Sequence, residues 1–502
     1  MRSGLLDACG HFLASSEFRS LACEVLRHVT YRRRGDTVNG AIASGAAASA
    51  GAGGAVAAAG GGGAGTGAGV GTTDEAAQEA ATDAAAVVSG LTGMCRSLGV
   101  AAQHVLTASP ADAGTEELEY VRRLTECMAT LATNHMTVLP DPGLRSAFLE
   151  ALLGLTRYPS LEVLGAALPA WPGLLRGMGA ELPGTFHRPD KGVGSGVWAA
   201  QQAAAAVGHA VGGVAGAGGS GGGGAEGGIV KGSCLLPEGA VVALLEASRV
   251  WLQQGAGLAS GLCTAGVPEA KGDDWEGDFE TREELRESWI MLRARCMEVA
   301  KLCTTLEPRA AAAAAANHVS TVLGWLAAGG ALDASKAVAS GAVTADGRSS
   351  MDDAIGAALE GAVSFVEPVM QAMPIAGSDV SANAEVVAAV TPALEAMLSQ
   401  LLAVDLTSPV AVSQLAKLLE ALGRAALVRP DAATALLQRL FALLSRLPVE
   451  EASRVAPPIR VKAALMAGRT AQAARQRVCA AVLGVCASAP NVRGYHSYVF
   501  QN

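Results

Sequence analysis

Between Thr391 and Leu447 apolar residues recur at helical spacing in three successive runs, each with its own start signal. In the first, Thr391 is a natural N-cap and Pro392 suits the first helical position, where a missing N–H leaves nothing unsatisfied. Leu394, Met397, Leu398, Leu401 and Leu402 then fall on one face of a 3.6-residue period. Ser408 and Pro409 repeat the device ahead of Val412, Leu415, Leu418, Leu419 and Leu422. That second helix is expected to stop near Arg429, because Pro430 disfavours helical geometry in the residue before it. Asp431 caps the third run, whose stripe is Leu436, Leu437, Leu440, Phe441, Leu444 and Leu447, ended by Pro448. Connections this short force neighbouring helices to run antiparallel, and an amphipathic pair cannot bury its stripe alone, so further pairs must stack on it.

The same period runs through the rest of the chain. Leu5, Leu6, Cys9, Phe12 and Leu13 follow Ser3, and the stripe resumes as Phe18, Leu21, Ala22, Val25, Leu26 and Val29. Helices are expected over Thr115 to Met136, Leu144 to Thr156, Ser160 to Arg176, Glu238 to Gln253, Thr281 to Leu306, Ala310 to Ala328 and Met351 to Met373, continuing to Val485. No alternating run argues for a sheet. Two segments, Gly35 to about Ala86 and about Leu182 to Gly232, are Gly/Ala-rich and nearly free of large apolar side chains. They cannot bury enough surface to offset their ordering entropy, and limited proteolysis is expected to cut there first. The predicted fold class is therefore all-α, a HEAT/armadillo-like α-solenoid with disordered insertions. Its predicted organisation is a helical repeat over 1–34, an insertion over 35–90, repeats over 91–181, an insertion over 182–232, repeats over 233–490 and a tail over 491–502.

Composition adds limits. Half of the residues are apolar but only 4% are aromatic, and Ala and the 62 Gly inflate the first figure, so Leu supplies most of the core. A net charge of -9 excludes a protein coated in nucleic-acid-binding charge, though not a local patch. Arg2, Asp7 and His11 break any secretory apolar run at the N-terminus, and no N-x-[ST] sequon occurs, so an intracellular location is expected. The 34 uncharged residues between Lys191 and Glu226 are long enough to span a bilayer, but their Gly/Ala composition reads as linker, and no membrane insertion is expected.

Candidate chemistry is sparse. The ten Cys form no CxxC pair. Cys296/Cys303 and Cys479/Cys486 are each seven apart, on one helical face, where buried free thiols acting as small hydrophobes are favoured over metal ligation. Gly67, Gly69 and Gly71 lack the preceding strand and the following Lys-Ser/Thr of a phosphate loop, and Gly194-Ser195-Gly196 fails the nucleophile-elbow spacing. The eight His are scattered, so neither a zinc site nor a catalytic triad has support. No enzyme, cofactor or metal is expected. Arg32, Arg33 and Arg34 suit a solvated helix end more simply than a nuclear-localisation or phosphate-binding cluster.

One stretch is more distinctive. Asp273, Asp274, Trp275, Glu276, Gly277, Asp278, Phe279 and Glu280 lead into Thr281-Arg282-Glu283-Glu284, a capping box. This acidic-aromatic run ahead of a helix resembles the middle of the plant HASTY and exportin-5 family of karyopherin-β nuclear export receptors. Other segments fall in matching order: Leu13-Ala14-Ser15 with Arg19 and the helix end at Arg32 to Arg34, then Glu126 to Leu131. Phe148 to Leu155 follows, and Leu436 to Pro448 resembles a family segment of the form LFxLLTSLP. No motif is specific alone; their collinearity covers most of the chain outside the insertions. The resemblance implies a superhelix of HEAT repeats that binds Ran-GTP and nucleoporins and shuttles between nucleus and cytoplasm. It would carry double-stranded small-RNA precursors, tRNA or proteins, in plants serving microRNA biogenesis. Family members have several repeats before the point that resembles Met1, including the Ran-binding region, and a long set after Asn502. The resemblance therefore covers a central portion, and it does not carry Ran-GTP binding over to this chain alone. The competing reading is a HEAT-type interaction scaffold with no transport role; a membrane-associated helical protein is a weaker third, because no basic amphipathic helix stands out.

Charge points to where RNA would bind. From Thr434 to Asn502 nine basic residues face only Glu450 and Glu451, a net +7, which leaves -16 on the rest of the chain. On a helix expected from about Arg460 to Val485, Lys462 and Arg469 are seven apart and Arg477 lies eight further on, near one face. Arg460, Lys462, Arg469, Arg475 and Arg477 are the candidate RNA or cargo contacts, since double-stranded RNA is recognised largely through its backbone and shape. An Ala-rich helix that uses Arg for solvation gives the same spacing, and no stacking aromatics accompany the cations.

Overall fold

The computed structural model describes residues 3–31 (other than 14 and 16), 71–108, 114–136, 139–180, 236–259 (other than 238), 279, 281–327, 348–374, 384–406, 409–423 and 430–447. Every regular element among them is a helix, and the fold class is all-α, as the periodicity predicts. In chain order the helices are α1 (Ser3–Leu13), α2 (Arg19–Tyr31), α3 (Gly71–Thr107), α4 (Thr115–His135), α5 (Pro142–Thr156), α6 (Leu161–Ala167) and α7 (Ala170–Gly177). Then follow α8 (Ala240–Ala259), α9 (Arg282–Leu306), α10 (Pro308–Ala327), α11 (Arg348–Ala372), α12 (Ala384–Ala403), α13 (Pro409–Ala421) and α14 (Pro430–Leu444). They divide between two units, α1–α5 with α7 in one and α6 with α8–α14 in the other.

The first unit is a double row. α1 packs on α2 and α3 on α4, while α1 also packs on α3 and α2 on α4. Side-chain pairing fixes the direction of the second contact: Arg19 meets Glu117, Arg27 meets Glu126, and the amide of Asn134 donates to the carbonyl of Thr30 at 3.2 Å. Residue numbers rise together along both helices, so α2 and α4 run parallel, the relation expected between equivalent helices of successive repeats. α5 continues the first row against α3, where Gly154 faces Leu106, and α7 continues the second against α4, where Gly173 faces Thr133. The seam is apolar: Cys23, Leu26, Val121, Leu124, Met128 and Leu131 are all buried.

In the second unit α8, α11 and α13 form one row, α10 packs on α12, and α9 lies against both α8 and α11. Two close approaches replace bulk around α8: Gly361 of α11 sits so near Gln253 that a Cβ would fall 2.9 Å from its Cα, and Gly255 of α8 lies under the Trp289 ring of α9. α6 is docked on α9 through Gly165 and Leu292.

Helix starts show which local signals act. Asp141 accepts from Gly143 N (2.9 Å) and Leu144 N (3.2 Å) ahead of Pro142, Ser160 accepts from Val163 N, and Thr281 accepts from Glu284 N at 3.2 Å. Pro409 opens α13 as expected. Elsewhere the structure corrects the sequence reading. Thr391 and Pro392 do not start a helix: α12 begins at Ala384 and Pro392 lies inside it. The run Ala384 to Val390 is long enough to form two turns of its own, and the Thr391 hydroxyl donates to the carbonyl of Val387 at 2.7 Å in the turn whose next backbone bond Pro392 cannot make. Asp431 is not a cap, because Pro430 already occupies the first helical position, where its fixed φ is favourable. The helix expected over Ser160 to Arg176 is broken at Leu168-Pro169 into α6 and α7. The insertion expected to reach Ala86, within 35–90, is already helical from Gly71, since the segment from there is rich in Ala, the best helix former. Residues 35–70 and 182–232 lie outside the described residues.

The apolar stripes are buried as a set, with exceptions. Leu394, Met397, Leu398, Leu401, Val412, Leu415, Leu418, Leu419, Leu422, Leu436, Leu437, Leu440 and Leu447 are all in the core. At the turn between α1 and α2, however, Phe12 is 47% exposed, Phe18 45% and Leu21 62%. The two rings pack on each other with centroids 5.6 Å apart rather than under a helix.

Candidate cargo-binding surface

Within the first unit, the described residues that carry the family resemblance pack in and beside the core rather than gathering as a reactive cluster. Arg19 pairs with Glu117 and lays its guanidinium 4.4 Å from the centroid of Tyr120, while Cys127 donates its thiol to the carbonyl of Cys23 at 3.0 Å across the α2–α4 seam. Phe148, Leu149, Leu152 and Leu153 are buried on α5, and Trp171 on α7 donates to the Thr156 hydroxyl at 3.0 Å. Phe279 precedes the Thr281 cap and is half-buried; Asp273 to Asp278 lie outside the described residues.

Over the α2–α4 seam lies a lattice of charge. Arg122 holds Glu119 and Glu126, Arg123 holds Glu119 and approaches Glu24, and Arg27 joins Glu24 to Glu126. Hydrogen bonding from Arg122, reinforced by Arg123, keeps the Glu119 carboxyl down at about 2 against partial burial. A face neutralised in this way offers little net field to a polyanion.

The basic C-terminal residues divide. Arg439 and Arg446, on and just after α14, grip the carbonyl end of α12: Arg439 donates to the Val404 carbonyl, and Arg446 pairs with Asp405 at 2.6 Å. Arg446, with Arg439 further off, holds the Asp405 carboxyl below its ordinary range. These two cations of the nine are therefore structural, a role that spacing alone does not reveal because Asp405 is distant in sequence. The candidate contacts Arg460, Lys462, Arg469, Arg475 and Arg477 lie outside the described residues, as do Arg32 to Arg34, Cys479, Cys486 and Gly194 to Gly196.

The buried thiols and the one buried imidazole among the described residues, His318, are placed for packing. Cys296 and Cys303 are free and fully buried, and burial pushes each thiol up to about 12, so they stay protonated and act as small apolar side chains. Cys127 is raised further, first by its contact with Cys23 and then by burial. His318 is buried between α8 and α11, with Arg249 3.2 Å from Nδ1 and the Phe365 ring edge-on at 5.9 Å. Burial, then Arg249, lowers it to about 4, against a smaller opposing effect of Glu246. Among the described residues no group of three His, Cys, Asp or Glu is placed to hold a metal ion.

Comparison with known families places the chain. The model of the family described as the Exportin-5 family matches residues 115–492, about three quarters of the 502 residues. The matched span begins at the first residue of α4 and takes in every later helix of both units. No curated protein matches the chain. That family consists of transport receptors rather than enzymes, and its helical-repeat architecture agrees with the stacked parallel helices of the first unit. On this match the chain belongs to the exportin-5 family of karyopherin-type export receptors.

Proposed function

We propose that the chain acts, alone or as the central portion of a longer receptor, in nuclear export of structured small RNA, with tRNA and protein as further cargo. Export is coupled to Ran-GTP and to nucleoporin passage, so the protein shuttles between nucleus and cytoplasm. The family match over 115–492 carries this reading. Charge supports the RNA part: the candidate contacts Arg460, Lys462, Arg469, Arg475 and Arg477 all fall inside the matched span, in a segment with no acidic residue after Glu451. Spaced cations without stacking aromatics suit a duplex, whose backbone and shape are read without a sequence code.

The test is retention of the purified chain on immobilised Ran loaded with GTP or GDP, each with and without a short RNA duplex. The expected result is retention with the GTP form, increased by the duplex, because linkage requires each ligand to raise the affinity for the other. Equal retention on both nucleotide forms, with no effect of RNA, contradicts the transport reading and leaves a helical-repeat scaffold.

A further inference from the structure

We draw no further inference here: the strongest candidate, the exposed apolar patch of Phe12, Phe18 and Leu21 at the turn between α1 and α2, has nothing in the structure to show what covers it.

Discussion

The α2–α4 layer and the packing around α11 solve one problem in two ways. Both bury an apolar seam, but they set the register of the helices differently. Along α2 and α4 the seam of small and aliphatic residues would tolerate sliding, and the charges at its edge, Arg19 on Glu117 and Arg27 on Glu126, fix which residues face each other. Around α11 shape fixes it: Gly361 admits the backbone of α8, and Leu359, Ala362, Phe365, Val366 and Val369 are shut off from solvent. Exposed ion pairs are worth little individually, whereas a filled interior is felt to the methylene. The stability of α11 is thus expected to be far more sensitive to single substitutions than that of the α2–α4 edge.

The largest effect is expected from Phe365→Ala. Its ring is fully buried on α11 and closes against His318, so its removal should cost about 3–5 kcal/mol through lost transfer and the cavity left behind. Amide exchange is the appropriate readout, because a helical array loses order locally, and protection should fall in α8, α10 and α11 while α2 and α4 keep theirs. Uniform loss over both units would break the comparison.

Acid should separate the two regions next. The His318 imidazole has a folded pKa of about 4 against an ordinary 6.5. The unfolded chain therefore binds the proton first, so stability from neutral burial is complete above pH 6.5 and is lost as pH falls towards 4, on the order of 3 kcal/mol in full. Glu119 acts in a lower window: held at about 2 against 4.5, it contributes above pH 4.5 and is lost as pH falls through 2. Melting between pH 7 and pH 5 should thus depend on pH in the wild type, and less steeply in His318→Gln. The same slope in both proteins would remove His318 as the cause.

The smallest effect is expected at the charged edge. Arg27→Ala breaks contacts with Glu24 on its own helix and, across the seam, with Glu126, yet all three side chains are between about a quarter and a half exposed, so the change should be below about 1 kcal/mol in urea unfolding and shrink further in high salt. A loss of several kcal/mol would mean that the edge, not the seam, holds α2 on α4.

Much of this was legible in the chain. Helical period located the buried faces, because burying a stripe is what makes each helix stable, and the Thr281 and Pro409 starts were local enough to be read directly. What sequence obscured depends on tertiary context. Pro392 imitates a helix start, but the preceding Ala384 to Val390 had already formed one. Phe12, Phe18 and Leu21 obey the apolar period yet stand in solvent, since periodicity names a face and not its cover. Arg439 and Arg446 counted towards a basic segment until Asp405 and the Val404 carbonyl, brought alongside by the fold, engaged them.

The central claim, that the chain carries RNA on its C-terminal cations, is tested most directly by the salt dependence of duplex RNA binding. It should be compared between the wild type and Lys462→Glu with Arg469→Glu. Each phosphate contact releases condensed counterions, so affinity should fall linearly with salt on logarithmic axes. The double variant should bind every duplex more weakly and with a shallower slope, its helical content unchanged. Equal affinity and an equal slope in the two proteins would contradict the claim.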